Sequence, residues 1–240
     1  MATWIVHLRI AENLLNRIPN LDVGQFSIGN TAPDSGVPDE NWENFDPPSN
    51  ITHFLSLEKE WDGSADIDFY QNYLAEIDPV DDKERFSFRL GYFFHLVTDN
   101  LWRTKIFRPT KERFPVKFDA DPKFIWEVKE DWYGLDLIYV RDYPESLFWR
   151  VFLDAEPDAC DLDFLPIDAV KHQLHHIKTF YQRQDEEVQA SYRRPYIYLS
   201  QQEVDDFVAD VTETLYRIYQ VLWIDKVSVL DEKSILSTIS

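Results

Sequence analysis

Apolar positions three and four residues apart recur along most of this chain and predict a helical protein. Trp4, Leu8, Ala11, Leu15 and Ile18 mark a first helix over residues 3–18, stopped by Pro19. His7 falls three after Trp4 and four before Ala11, at the edge of that apolar stripe. A second helix is predicted over residues 65–77, with Ser64 as its N-cap and Pro79 beyond its end. A third opens at Asp81 or Asp82 and runs to about Lys105, with Pro109 past its end. Residues 166–181 read as a clear helix. Ser200 and Glu203 have the spacing of a capping box and open a long helix through Val204, Phe207, Val208, Val211, Leu215, Ile218 and Leu222.

Between these helices the pattern weakens. Residues 19–52 read as loop, with turn chemistry at Gly29-Asn30 and from Pro33 to Gly36. Residues 38–48 are acidic and aromatic and are expected at the surface. In residues 110–165, short apolar runs such as 124–128 and 137–140 fit strands or helical turns; mainly helix with loops is the expectation. Pro144 suits the first turn of a helix, and the tail after Asp225 is expected to fray in part. With 17 Phe and 8 Trp but only 6 Gly, large side chains must fill the spaces between helices. The fold class is therefore all-α, a single helical domain over 1–240. The glycine count and the helix-heavy pattern argue against a doubly wound parallel sheet, and no Gly-rich phosphate loop or nucleophile elbow is present.

Charge and cysteine count narrow the function classes. A net charge of -20 opposes binding to duplex nucleic acid and to anionic membranes. A bound cation can still reverse the sign locally, so a small anionic substrate fits. The single Cys160 excludes an internal disulfide and a thiolate zinc cluster. No transmembrane run of roughly 18 apolar residues and no signal-peptide pattern is seen, so a cytoplasmic protein is expected.

The chemistry centres on residues 91–102. His95 and Asp99, four apart, share one helical face, whereas Phe93, Phe94, Val97 and Leu101 form an apolar flank. A buried imidazole and carboxylate need partners. His7, His53 and Asp34 lie upstream, each in an apolar or constrained setting. Together the five suit zinc, with iron, nickel or manganese as alternatives. They suffice for one closed site, or for two ions sharing a carboxylate, with Asp99 the candidate bridge. Singly, each has a plainer reading: His95 with Asp99 as a hydrogen-bonded pair, His7 as a core-edge histidine, Asp34 as a turn residue.

The series Trp4…His7, Asp34, Thr52-His53-Phe54 and Gly91-Tyr-x-x-His95-Leu-x-Thr-Asp99 resembles the zinc-dependent phospholipase C superfamily, which includes single-strand-specific zinc nucleases. The resemblance covers about the first 105 residues. It implies an all-α fold with zinc in a cleft between helices, and hydrolysis of a small-molecule phosphate ester by metal-bound hydroxide. It implies His7 as the first-helix ligand, Asp34 and His53 as ligands of a central ion, and His95 with Asp99 as the His-x-x-x-Asp pair whose Asp bridges ions. Asp34 can double as general base. Two departures stand out. Trp4 is not the first residue, so the family's terminal-amine ligand does not carry over and Trp4 is read as core packing. No His lies between Asp99 and His172, where the family has further ligands, which favours one or two ions over three.

Asp168, His172 and His176 share a helix face and could complete a site or form a solvated surface. Glu130, Asp131 and Asp136 could supply carboxylates in place of the missing His. A non-catalytic interaction protein with one structural metal or none is the alternative function, and a redox iron protein a weaker one.

Overall fold

The computed structural model describes residues 1–41, 43–55, 63–227 and 233–238. Eleven helices are present among them: α1 (Trp4–Leu15), α2 (Val23–Gly29), α3 (Ser49–Thr52), α4 (Asp66–Phe69), α5 (Lys83–Trp102), α6 (Arg108–Arg113), α7 (Pro115–Ala120), α8 (Phe124–Asp142), α9 (Ile167–Tyr181), α10 (Glu186–Ser191) and α11 (Gln201–Tyr219). The one sheet among the described residues is a hairpin of β1 (Val37–Pro38) and β2 (Phe45–Asp46), with Val37 opposite Asp46. The protein is thus predominantly all-α. No described helix is long and apolar enough to cross a membrane.

Helix α5 is the axis of the fold. Residues 86–102 are buried without a break, so neighbours enclose this helix on every side. Phe86, Phe88, Tyr92, Phe93, Phe94 and Trp102 are all sealed from solvent. Each such side chain contributes roughly 1.5–3 kcal/mol by leaving water. Helix α1 packs between α5, α8 and α11. The Ser200–Glu203 capping box opens α11, with both reciprocal bonds made.

Several local expectations change. Residues 19–52 are not all loop: Asp22 caps α2 by accepting from the Gln25 amide. Gly29 does not form a turn but lies at a close helix crossing. A Cβ on Gly29 would sit 2.0 Å from the Phe88 carbonyl oxygen, and one on Gly91 would sit 2.5 Å from that of Phe26. The two glycines let α2 and α5 meet backbone to backbone. Ser64 is not a cap, since Ala65 holds that position. Ser64 instead exchanges two bonds with the Asn100 amide. Pro109 does not end the third helix. The chain widens into a five-residue turn at Arg103–Phe107, and Pro109 falls in the first turn of α6, where its missing N–H leaves no gap. Pro144 lies in the turn before another wide segment, Phe148–Phe152.

The ambiguous runs at 124–128 and 137–140 both belong to α8. The expected fraying after Asp225 lies partly outside the described residues. Ser234 and Ile235, however, are buried and bond to Asp66.

Candidate metal centre

Four separate segments converge where α1 crosses α5. Helix α1 brings His7, a short turn at Ala32–Asp34 brings Asp34, the end of α3 brings His53, and α5 brings His95 and Asp99. All five expected residues therefore meet. His7 and His95 are fully buried, and His53, Asp99 and Asp34 are exposed by only 2, 6 and 10 %.

Their ligand atoms face one another. His53 Nε2 lies 3.2 Å from Asp34 Oδ1, 3.4 Å from His95 Nε2 and 3.7 Å from Asp99 Oδ2. His95 Nε2 lies 3.5 Å from Asp99 Oδ2, and His7 Nε2 lies 3.5 Å from Asp99 Oδ1. Nitrogen and oxygen ligands bound tetrahedrally at about 2.1 Å stand about 3.4 Å apart, so these spacings fit one ion's ligand shell. Two groups have mutually close ligand atoms: His7 with His95 and Asp99, and Asp34 with His53 and His95. They share His95, whose one inward nitrogen can serve only one ion. Asp99 directs one oxygen to His7 and the other to His53 and His95.

The surroundings fix these orientations. His95 Nδ1 donates to the Asn30 carbonyl at 2.8 Å, which leaves Nε2 to face the cluster. Thr52 Oγ1 stands 3.1 Å from His53 Nδ1. The Ala2 amide donates to Asp99 Oδ1 at 2.7 Å, and the Trp4 indole donates to Asp34 Oδ2 at 2.9 Å. The rings of His7 and His95 stack 3.9 Å apart. His7 Nε2 and Asp99 Oδ2 have no hydrogen-bond partner despite being buried. Buried orphans of that kind are costly, and a cation between them would satisfy both.

The electrostatics favour ligand-ready forms of His7, Asp34 and Asp99. Burial, then the neighbouring His95, lowers the His7 pKa to about 4, so its imidazole is neutral near pH 7. Burial alone would raise Asp99, but the terminal ammonium, His95 and His7 hold its carboxyl well below the usual range. Asp34 is likewise lowered, burial being outweighed by His53 and His95. Burial opposes a charge on His95, yet Asp99 and Asp34 raise its pKa.

Other sequence candidates lie elsewhere. Asp168 and His172 are exposed, and His176 leans its ring against Trp4 at 5.6 Å. None of the three joins either ligand group. Asp131 does not replace a missing ligand: it accepts from the Ile197 and Tyr198 amides and pairs with Arg194. Asp136 is held by Thr3 and Tyr181, and Glu130 points to Arg194 at the surface. Burial pushes the Cys160 thiol up to about 11, far from a reactive thiolate.

Trp4, read from the sequence as packing, is in fact bonded to the centre. Its place three residues before His7, on the same face, was the available signal. A cleft of about 360 Å³ opens beside it, reaching Asp34 and walled by Trp4, Trp126, Tyr133 and Phe180. No family model, curated protein or solved structure matches the chain.

Proposed function

We propose that the chain is a metal-dependent hydrolase of phosphate esters, with His7, Asp34, His53, His95 and Asp99 holding one or two ions, zinc by preference of the donor set. The reading is supported above all by the convergence of five ligand-type side chains from four segments, with three of their atoms, His7 Nδ1, His7 Nε2 and Asp99 Oδ2, buried and unpartnered. A bound divalent cation supplies Lewis acidity, polarising a phosphoryl oxygen and bringing the pKa of water toward about 7. His7, His53 and His95 each turn a ring nitrogen to the cluster, and Asp99 offers an oxygen to each side of it. Asp34 lines the cleft, ionised and oriented by the Trp4 indole, where it can take a proton from incoming water.

Elemental analysis of the gently purified protein, before and after soaking with zinc, is expected to find one or two equivalents. Chromogenic phosphodiesters and phosphomonoesters then test hydrolysis, and His95→Ala is expected to lower activity by roughly 100-fold or more. No metal before or after soaking, or equal activity in the variant, overturns the proposal. The deep burial of four of the five residues favours a second reading, a structural ion without catalysis. Metal retained with no turnover on either ester class would establish that reading instead.

A further inference from the structure

We propose that Lys129 forms an anion-recognising edge beside the centre, and that the cleft takes a phosphate ester whose alcohol is apolar and about one aromatic ring in size. The inference rests on the hydrolase reading and names its substrate class.

Three observations carry it. First, the cleft has preformed aromatic walls: Trp4 packs against Tyr133 at 5.7 Å and Phe180 at 5.9 Å between ring centroids. At about 360 Å³ it lies near the small end of ligand sites, which span roughly 300–1,000 Å³. Such a space suits one ring and one phosphate.

Second, Lys129 lines this cleft and forms no ion pair among the described residues. Its ammonium lies 4.9 Å from the centroid of Trp126, and the Asp34 and Asp99 carboxylates act on it electrostatically. The cation therefore lies within the field of the centre without being neutralised by contact.

Third, Trp132 adds its ring to the same cleft wall and is only 2 % exposed. An unpaired ammonium in an apolar cleft asks for an anion with acceptor oxygens attached to an apolar body. The charge of -20 sets the upper size, because it repels polyanions while one phosphate can be matched locally.

The test uses zinc-soaked full-length protein and the non-hydrolysable probe phenylphosphonate, with inorganic phosphate and benzyl alcohol as partial probes. Binding is followed by calorimetry and by quenching of the cleft tryptophans. Phenylphosphonate is expected to bind about 10-fold or more tighter than inorganic phosphate, and benzyl alcohol far more weakly. Lys129→Met, which keeps an unbranched apolar side chain, is expected to weaken phenylphosphonate by about 10-fold or more with unchanged melting temperature, and Lys129→Arg to recover most of it. Inorganic phosphate binding as well as phenylphosphonate overturns the ring-sized subsite. Lys129→Met binding as well as wild type overturns the anion edge. Metal content, measured on the same samples, separates the two levels. If no zinc is taken up, the hydrolase reading fails; Lys129-dependent binding of phenylphosphonate to that protein still supports the cleft, and its absence overturns it.

Discussion

Asp34 is held by two groups of different kinds, an imidazole on Oδ1 and the indole of Trp4 on Oδ2. The indole contributes no charge, so its effect is on direction: it fixes which oxygen is left for the cluster. Trp4→Phe keeps a ring in the aromatic wall but deletes that N–H. The expected result is zinc retention about 10–100-fold weaker in competition with a chelator, as for other groups that orient ligands. Stability should fall by only about 1 kcal/mol, the net worth of one hydrogen bond. Unchanged retention would mean that Asp34 is not oriented by Trp4, or is not a ligand. At this scale the ligand-type residues were legible, because His and Asp in apolar surroundings call for partners. Asn30 and Thr52 were not. Asn30 orients His95 with a backbone carbonyl, which every residue has, from 65 residues away, and Thr52 adjoins His53 with no spacing that marks a hydroxyl contact to the ring.

Asn30 reaches His95 because α2 and α5 touch through glycine. That contact joins a packing feature to the orientation of a ligand. Gly29→Ala would place a methyl 2.0 Å from the Phe88 carbonyl oxygen, a backbone atom that cannot rotate away. The helices must part, at a cost of about 1–3 kcal/mol or more, and the Asn30 carbonyl must leave His95 Nδ1. Both a lower melting temperature and weaker metal retention are expected. Gly24→Ala, in the same helix, is the control. Its Cβ meets nothing closer than 3.5 Å, so the change should be neutral or stabilising by up to about 1 kcal/mol. Equal melting temperatures for the two variants would show that the crossing is not as tight as described. Long helices such as α9 and α11 were legible because they bury one stripe. Helix α2 was not, because Gly29 and Asn30 are the residues of a turn as well as of a glycine-mediated crossing. Local sequence does not distinguish the two uses; the partner Gly91, some sixty residues on, does.

Over the whole molecule, the chain buries acidic groups at several points that tie distant segments together. Asp66 receives Ser234 Oγ at 2.5 Å, the Ile235 amide at 2.8 Å and the Asn100 amide at 2.9 Å. Asp136 receives Thr3 Oγ1 at 2.8 Å and the Tyr181 hydroxyl at 2.5 Å, linking the start of α1 to α8 and α9. Unlike Asp99, these carboxyls have no histidine beside them. Burial, against the pull of Tyr181 and Thr3, raises Asp136 from 3.8 to about 7. The sign of the consequence follows from proton counts. Between about pH 4 and 7 the folded protein keeps this proton and the unfolded chain releases it, so stability falls as pH rises through that window and levels off above it. The change is at most on the order of 4 kcal/mol. Asp136→Asn resembles the protonated carboxyl, and both neighbouring hydroxyls can either donate or accept. The variant should therefore match wild type near pH 4 and be the more stable protein at pH 8. His7 titrates in the same range with the opposite slope, so the informative quantity is the difference between the two proteins in denaturant or thermal unfolding, pH by pH. A variant that is less stable than wild type at pH 8 would show that Asp136 is ionised in the fold and that its two hydroxyl partners outweigh its burial.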